Sequence, residues 1–292
     1  MSWIILTIFA ALLTAISNIV DRYLLKHETN NPKLLTELWG LISSLVFCTP
    51  ALFQQNINFN WTISLGGILI GSIYLFSMLF YYTSVSQAEI SRIVPILAIN
   101  PIIVLIFATI LFQEIFHSVQ YFGIFLIILG ILISSYRGKD KRILPFQAIL
   151  YLLIAASGFA TKNIITKALS FQVISPLNLL FWIGIGTGLA SLLFFIPKLQ
   201  EVLKLSNRKF LHYFTNLSLS AFASLLFTLA ITTGPVALVT FLHRLEILFV
   251  FILAESINFL YPQALQEKNN KKIFFQKFIA VIIILVGCYF LI

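Results

Sequence analysis

Ten apolar runs, each long enough to cross a bilayer, follow one another along this chain with only short polar links between them. They cover residues 3–20, 34–53, 61–83, 90–112, 116–136, 146–166, 174–197, 210–233, 236–258 and 273–292. A span needs about 20 mostly apolar residues. Irregular backbone cannot face lipid with its N–H and C=O groups unpaired, so each run predicts a helix. The runs are unbroken rather than alternating, which argues against a β-barrel. The expected fold class is therefore an all-α integral membrane protein with ten transmembrane helices. Composition agrees, with 60% of the 292 residues hydrophobic and 10% charged, against about 25% charged in soluble domains. The opening MSWIILTIFAALLTAISNIV lacks a basic leader region and reads as an uncleaved first span.

The two halves repeat. Asn18-Ile19-Val20-Asp21-Arg22-Tyr23-Leu24 matches Asn163-Ile164-Ile165-Thr166-Lys167-Ala168-Leu169, and Pro32 and Trp39 match Pro176 and Trp182. Gln120 to Gly130 matches Gln276 to Gly287. The chain thus divides into residues 1–142 and 143–292, five spans each. An odd number of spans per repeat sets the halves in opposite orientations, an arrangement that places a transport site near the midplane where they meet.

Charge follows the same plan. Sixteen of the nineteen Lys and Arg lie in the odd-numbered links or at the run edges beside them, among them Arg22, Arg92, Arg137, Lys198 and Lys268. The net charge of +9 therefore reads as loop charge that sets orientation, not as a nucleic-acid surface. It predicts cytoplasmic odd loops and both termini outside. Cys48 and Cys288 lie in apolar runs and read as buried free thiols. The second run contains Pro50 and the fourth Pro95 and Pro101. Proline at that depth kinks a helix, either beside a site or as a structural bend.

Chemistry concentrates in PVALVTFLHRLEILFVFILAESINF, an apolar run that carries His243, Arg244, Glu246 and Glu255. A charge at mid-bilayer costs about 2.5–3.5 kcal/mol on insertion scales, so such a residue faces protein or water and usually has a partner. Arg244 and Glu255 fall on one helical stripe roughly 16 Å apart, while His243 and Glu246 are three residues apart and can meet. Arg244 either binds a carboxylate or phosphate of a substrate with its planar fork or pairs with an acid on another helix. Glu246 or Glu255 would hold a cation or a coupling proton. Lys162 is either a second anion contact or a snorkelling side chain. Asn18 and Asn163 are symmetry-related amides that bind substrate or tie helices. Tyr74 and Tyr81 line a cavity or sit in an interfacial belt. Asp21 reads as the end of the first helix, and Arg92 as interfacial or as a gate. There is no nucleophile elbow, Gly-rich phosphate loop or His/Cys ligand set. The sequence therefore indicates no enzyme, no cofactor and no metal.

AISNIVDRYLLK, SRIVPILAINPIIVLIFATILFQE, QYFGIFLIILGILI and PVALVTFLHRLEILFVFILAE resemble the EamA-type branch of the drug/metabolite transporter superfamily. The resemblance implies two inverted five-helix repeats around a central cavity, with the fifth and tenth helices peripheral. It implies alternating access, commonly in export of amino acids or other small metabolites, from a bacterial-type inner (plasma) membrane. It also implies both termini inside, opposite to the charge count. Gln113 stands where the family has the Gly of a Gly-Glu pair before Glu114, and Ile247 where it has a proline. A small anionic or zwitterionic substrate is expected, with lipid or lipid-linked sugar translocation as the alternative. The expected partners are the substrate and the bilayer. A monomer suffices for a chain that holds both halves, and a dimer is possible.

Overall fold

The computed structural model describes residues 2–27, 31–50, 59–87, 93, 96–97, 99–135, 145–173, 175–203, 206–260 and 271–292. Among these the chain forms helices and no strand. In the first half they are α1 (Ser2–His27), α2 (Pro32–Cys48), α3 (Trp61–Gln87), α4 (Ile99–Leu111) and α5 (Ser118–Ser135). In the second they are α6 (Phe146–Ser170), α7 (Pro176–Leu203), α8 (Asn207–Thr233), α9 (Val236–Leu242), α10 (Leu245–Leu260) and α11 (Lys271–Leu291). Seven candidate spans among the described residues are long and apolar enough to cross a membrane, one of them running through α9 and α10. α4 and α5 are shorter apolar helices. Large apolar side chains such as Ile5, Leu69, Leu132 and Leu193 are more than half exposed on the outer surface. That surface suits hydrocarbon and not water. The protein is a multi-pass membrane protein.

The ninth apolar run departs from the single helix expected of it. It breaks at His243–Arg244 without proline or glycine. The Arg244, Glu246 and Ile247 amides donate to Phe241, His243 and Arg244 carbonyls at 2.9, 3.0 and 3.0 Å. These are three-residue rather than four-residue steps, which tighten the winding as in a 3₁₀ turn. Such a turn inside a helix often marks a functional hinge. Here the backbone stays bonded while the side chains swing to a new face.

Helix packing relates the halves. α1 packs against α8 and α10, while α6 packs against α3 and α4. α2 lies along α7, and α5 along α11. A Cβ built on Gly123 would stand 2.7 Å from the Gly287 carbonyl oxygen, and one on Gly130 would stand 2.9 Å from that of Ala280. As the number rises on α5 it falls on α11, so these helices are antiparallel. α2 and α7 are antiparallel too, with Gly40 beside Ser191 and Phe47 beside Gly184. Small residues let backbones approach in this way where lipid gives no hydrophobic drive.

α3 crosses α7 closely, where a Cβ on Gly71 would overlap the Ile183 carbonyl oxygen and lie 2.6 Å from the Thr187 nitrogen. Both obstacles are backbone and cannot rotate away. Gly71→Ala is expected to cost about 1–3 kcal/mol through overpacking. A lower midpoint of thermal unfolding in detergent would show it, and an unchanged midpoint would mean that the crossing is loose.

Glu114 ties one half to the other. α9 begins after Pro235 with no cap of its own. The Glu114 carboxylate, beyond the end of α4, accepts from the Val236 and Ala237 amides at 2.8 and 3.3 Å. Gln113, just before it, has φ of 52°, the left-handed region that glycine enters most easily. This explains why a glycine would suit that position. Lys167 Nζ completes the junction by donating to the Gly234 carbonyl at 2.8 Å. Glu114→Ala strips the cap and should cost about 1–2 kcal/mol. Glu114→Gln should cost less, since the amide oxygen can still accept; equal losses in thermal unfolding would contradict the capping role.

Candidate functional site

A cavity of about 120 Å³ lies where α1, α3, α6, α8 and the α9–α10 turn converge. Its lining is unusually polar for a membrane interior and includes Asn18, Asp21, Tyr74, Tyr81, Lys162, Asn163, His243, Arg244 and Glu246. The α9–α10 turn supplies the last three from one point in the chain.

One side is a closed network. Asn18 Nδ2 donates to Glu246 Oε1, and Tyr81 donates to Asn18 Oδ1 at 2.9 Å. His243 Nδ1 stands 3.6 Å from Glu246 Oε2, and its Nε2 is 3.5 Å from the Thr14 hydroxyl. The Phe227 ring packs on the imidazole with centroids 4.4 Å apart. Asn18 thus binds two helices together and faces the cavity at the same time. On another side Asp21 accepts from Asn216 Nδ2 at 2.7 Å.

The cations are held differently. Lys162 is 2% exposed. Its Nζ donates to Thr228 Oγ1 at 3.1 Å and lies 4.5 Å from the Tyr74 ring centroid. The Tyr74 hydroxyl is bonded to Ser224 at 2.6 Å and its ring packs edge-on with Trp39, so this aromatic wall is fixed. Arg244 is 9% exposed, and its Nε is buried with no hydrogen-bond partner. Among the described residues neither cation has a carboxylate within ion-pair distance. Glu246, two residues on, acts on Arg244 only through its field.

The structure brings most of the expected residues together. Arg244, His243, Glu246, Asn18, Asn163, Tyr74, Tyr81 and Lys162 all line the cavity. Lys162 does not snorkel, and among the described residues Arg244 does not pair with an acid on another helix. Glu255 is half-buried on α10 and does not line the cavity, because the turn at His243–Arg244 interrupts the stripe on which it was placed. Arg92 lies outside the described residues, as does Pro95. Cys48 is half-buried and Cys288 buried, both free. Asp21 is the main residue that sequence reasoning placed elsewhere. The first apolar run ends at Val20, but α1 continues to His27, so Asp21 is 1% exposed within the fold instead of marking a helix end. Its position three residues after Asn18, on the same face of a helix, was the available signal.

Residues 1–136 match the model of the EamA-like transporter family. No curated protein matches the chain. A solved structure described only as "Crystal structure of protein" is similar over 96% of this chain and 97% of its own, with a TM-score of 0.64 and 15% identity. At that identity the likeness shows a shared fold. The family likeness thus covers residues 1–136, the first of the two repeats, in a multi-pass membrane protein.

Proposed function

We propose that the protein is a secondary active carrier of a small anionic or zwitterionic metabolite, working by alternating access and exporting its substrate. One observation carries this reading. Arg244 and Lys162 line the same cavity, both buried, and neither has an acid within ion-pair distance among the described residues. Buried charge is retained where it is paired. A carboxylate or phosphate on the substrate supplies that pairing, and Arg244 can hold it with two parallel N–H donors. Lys162 contributes a point charge from α6. Asn18, Asn163, Tyr74, Tyr81, His243 and Glu246 shape the rest of the site.

Alternating access is supported by the antiparallel run of α2 against α7 and of α5 against α11. These pairs are the equivalent helices of the two sequence repeats, so the halves read as five-helix units of opposite orientation, ten spans in all. The cavity lies between them, with α9 and α10 forming a discontinuous span, a device that transporters use at midplane sites. Charge bias favours cytoplasmic odd-numbered loops in an inner (plasma) membrane. A single chain supplies the whole site.

The test is untargeted metabolite profiling of cells and spent medium, comparing wild type with Arg244→Ala at equal protein level. One class of small acid should move with the wild type and not with the variant. No difference in any soluble metabolite would remove this reading, and co-purified lipid would then favour lipid translocation.

A further inference from the structure

We infer that Asp21 is a proton-binding site of the transport cycle, held ready by Asn216. The inference rests on the carrier reading for its purpose, but not for its geometry. The cavity is lined by two acids, and their surroundings differ. Glu246 has Asn18 bonded to it, His243 beside it and the field of Arg244 on it. Asp21 has Asn216 alone, and among the described residues no Lys, Arg or His lies within ion-pair distance of it.

A carboxylate 1% exposed inside a membrane span must be neutralised by a cation or by a proton. The partner chosen for it favours a proton. Asn216 gives its Nδ2–H to Asp21 Oδ1, which leaves its own Oδ1 buried and without a hydrogen-bond donor. A carboxylic acid has one O–H to give, and one edge of a carboxamide offers an N–H and the C=O side by side. Protonated at Oδ2, Asp21 can complete a cyclic acid–amide pair and satisfy the idle Asn216 oxygen. Ionised, it leaves that oxygen bare. Two further buried hydroxyls without partners belong to the neighbourhood, Ser17 one turn earlier on α1 and Tyr82 on α3 within electrostatic reach of Asp21.

The step is simple to balance. Asp21 Oδ2 takes one proton from water in the cavity when the site is open to one face, and its charge goes from −1 to 0. It returns that proton to water on the other face. The elements packed around α1 carry Tyr74, Tyr81 and Tyr82 on α3, Lys209, His212 and Tyr213 on α8, and Glu246 and Glu255 on α10, with His243 and Arg244 at the turn before it; Lys162 of α6 lines the same cavity. Of the two cavity acids, Glu246 is engaged by Asn18 and His243, which leaves Asp21 as the carboxyl free to exchange a proton with the cavity.

The experiment is infrared difference spectroscopy of the purified full-length protein in lipid nanodiscs, titrated from alkaline to acid pH in sodium and then in potassium. A protonated-carboxyl band that grows as pH falls is expected in wild type, absent in Asp21→Asn and retained in Glu246→Gln. Asn216→Leu, which leaves Asp21 in place, should shift the midpoint of that band. A band unchanged in Asp21→Asn overturns the assignment, and so does a sodium-specific thermal stabilisation that Asp21→Asn removes. If the Asp21 band is present but no solute crosses in proteoliposomes, the proton site stands and the carrier reading falls. If solute is carried and the Asp21 band is missing, the carrier reading stands and the proton site falls.

Discussion

Arg244→Ala is expected to reduce substrate affinity by roughly 10- to 100-fold, with the protein still folded and in the membrane. Hydrogen bonds to charged groups contribute about 1.5–3 kcal/mol, and 1.4 kcal/mol is a tenfold change in binding. The fold should tolerate the loss because the guanidinium has no hydrogen-bond or ion-pair partner among the described residues, and Glu246 keeps the bond from Asn18. Arg244→Lys should recover part of the affinity, since it keeps the charge but not the planar fork. Concentration-dependent transport measured for the three proteins would separate these cases. Equal affinity in Arg244→Ala and wild type would remove Arg244 from the site.

Glu246→Ala should instead damage the fold, lowering stability by up to about 3–5 kcal/mol, the range for leaving a buried charge uncompensated. It leaves the Asn18 amide without its acceptor, His243 without its neighbour, and Arg244 without the one nearby negative field. The hydrogen bond from Asn18 cannot account for this loss by itself, because interhelical hydrogen bonds in membranes average about 0.6 kcal/mol. Most of the cost lies in the uncompensated charge. Two comparisons follow from that. Glu246→Ala combined with Arg244→Ala should be less damaging than Glu246→Ala alone. Asn18→Leu should cost far less than Glu246→Ala. Thermal unfolding in a mild detergent reads all of these variants. Additive losses at positions 244 and 246 would contradict the electrostatic account.

Much of this architecture was legible in the chain because bilayer insertion leaves few options. Long apolar runs become helices, and repeats reveal themselves through Asn18 and Asn163 or Gly130 and Gly287. The cluster of His243, Arg244 and Glu246 stood out for the same reason, as charge where charge is costly. What escaped was set by tertiary packing. The break at His243–Arg244 has no proline or glycine to announce it and arises from a local tightening of the hydrogen-bond ladder. Asp21 looked interfacial because an apolar run ended beside it, yet α8 packs over that part of α1 and buries it against Asn216. Glu255 was placed by extrapolating a straight helix through a segment that bends. The role of Glu114 as a cap for α9 depends on contact across 122 residues of sequence, which no local pattern encodes.

The most direct measurement of the central claim is solute movement by the purified protein in proteoliposomes given a labelled pool of small carboxylates, amino acids and phosphates. One class should cross the bilayer with the wild-type protein and cross at least about tenfold more slowly with Arg244→Ala, the smallest affinity loss expected from its hydrogen bonds. If no soluble compound crosses while labelled phospholipid changes leaflet, the cavity is not the site of a metabolite carrier.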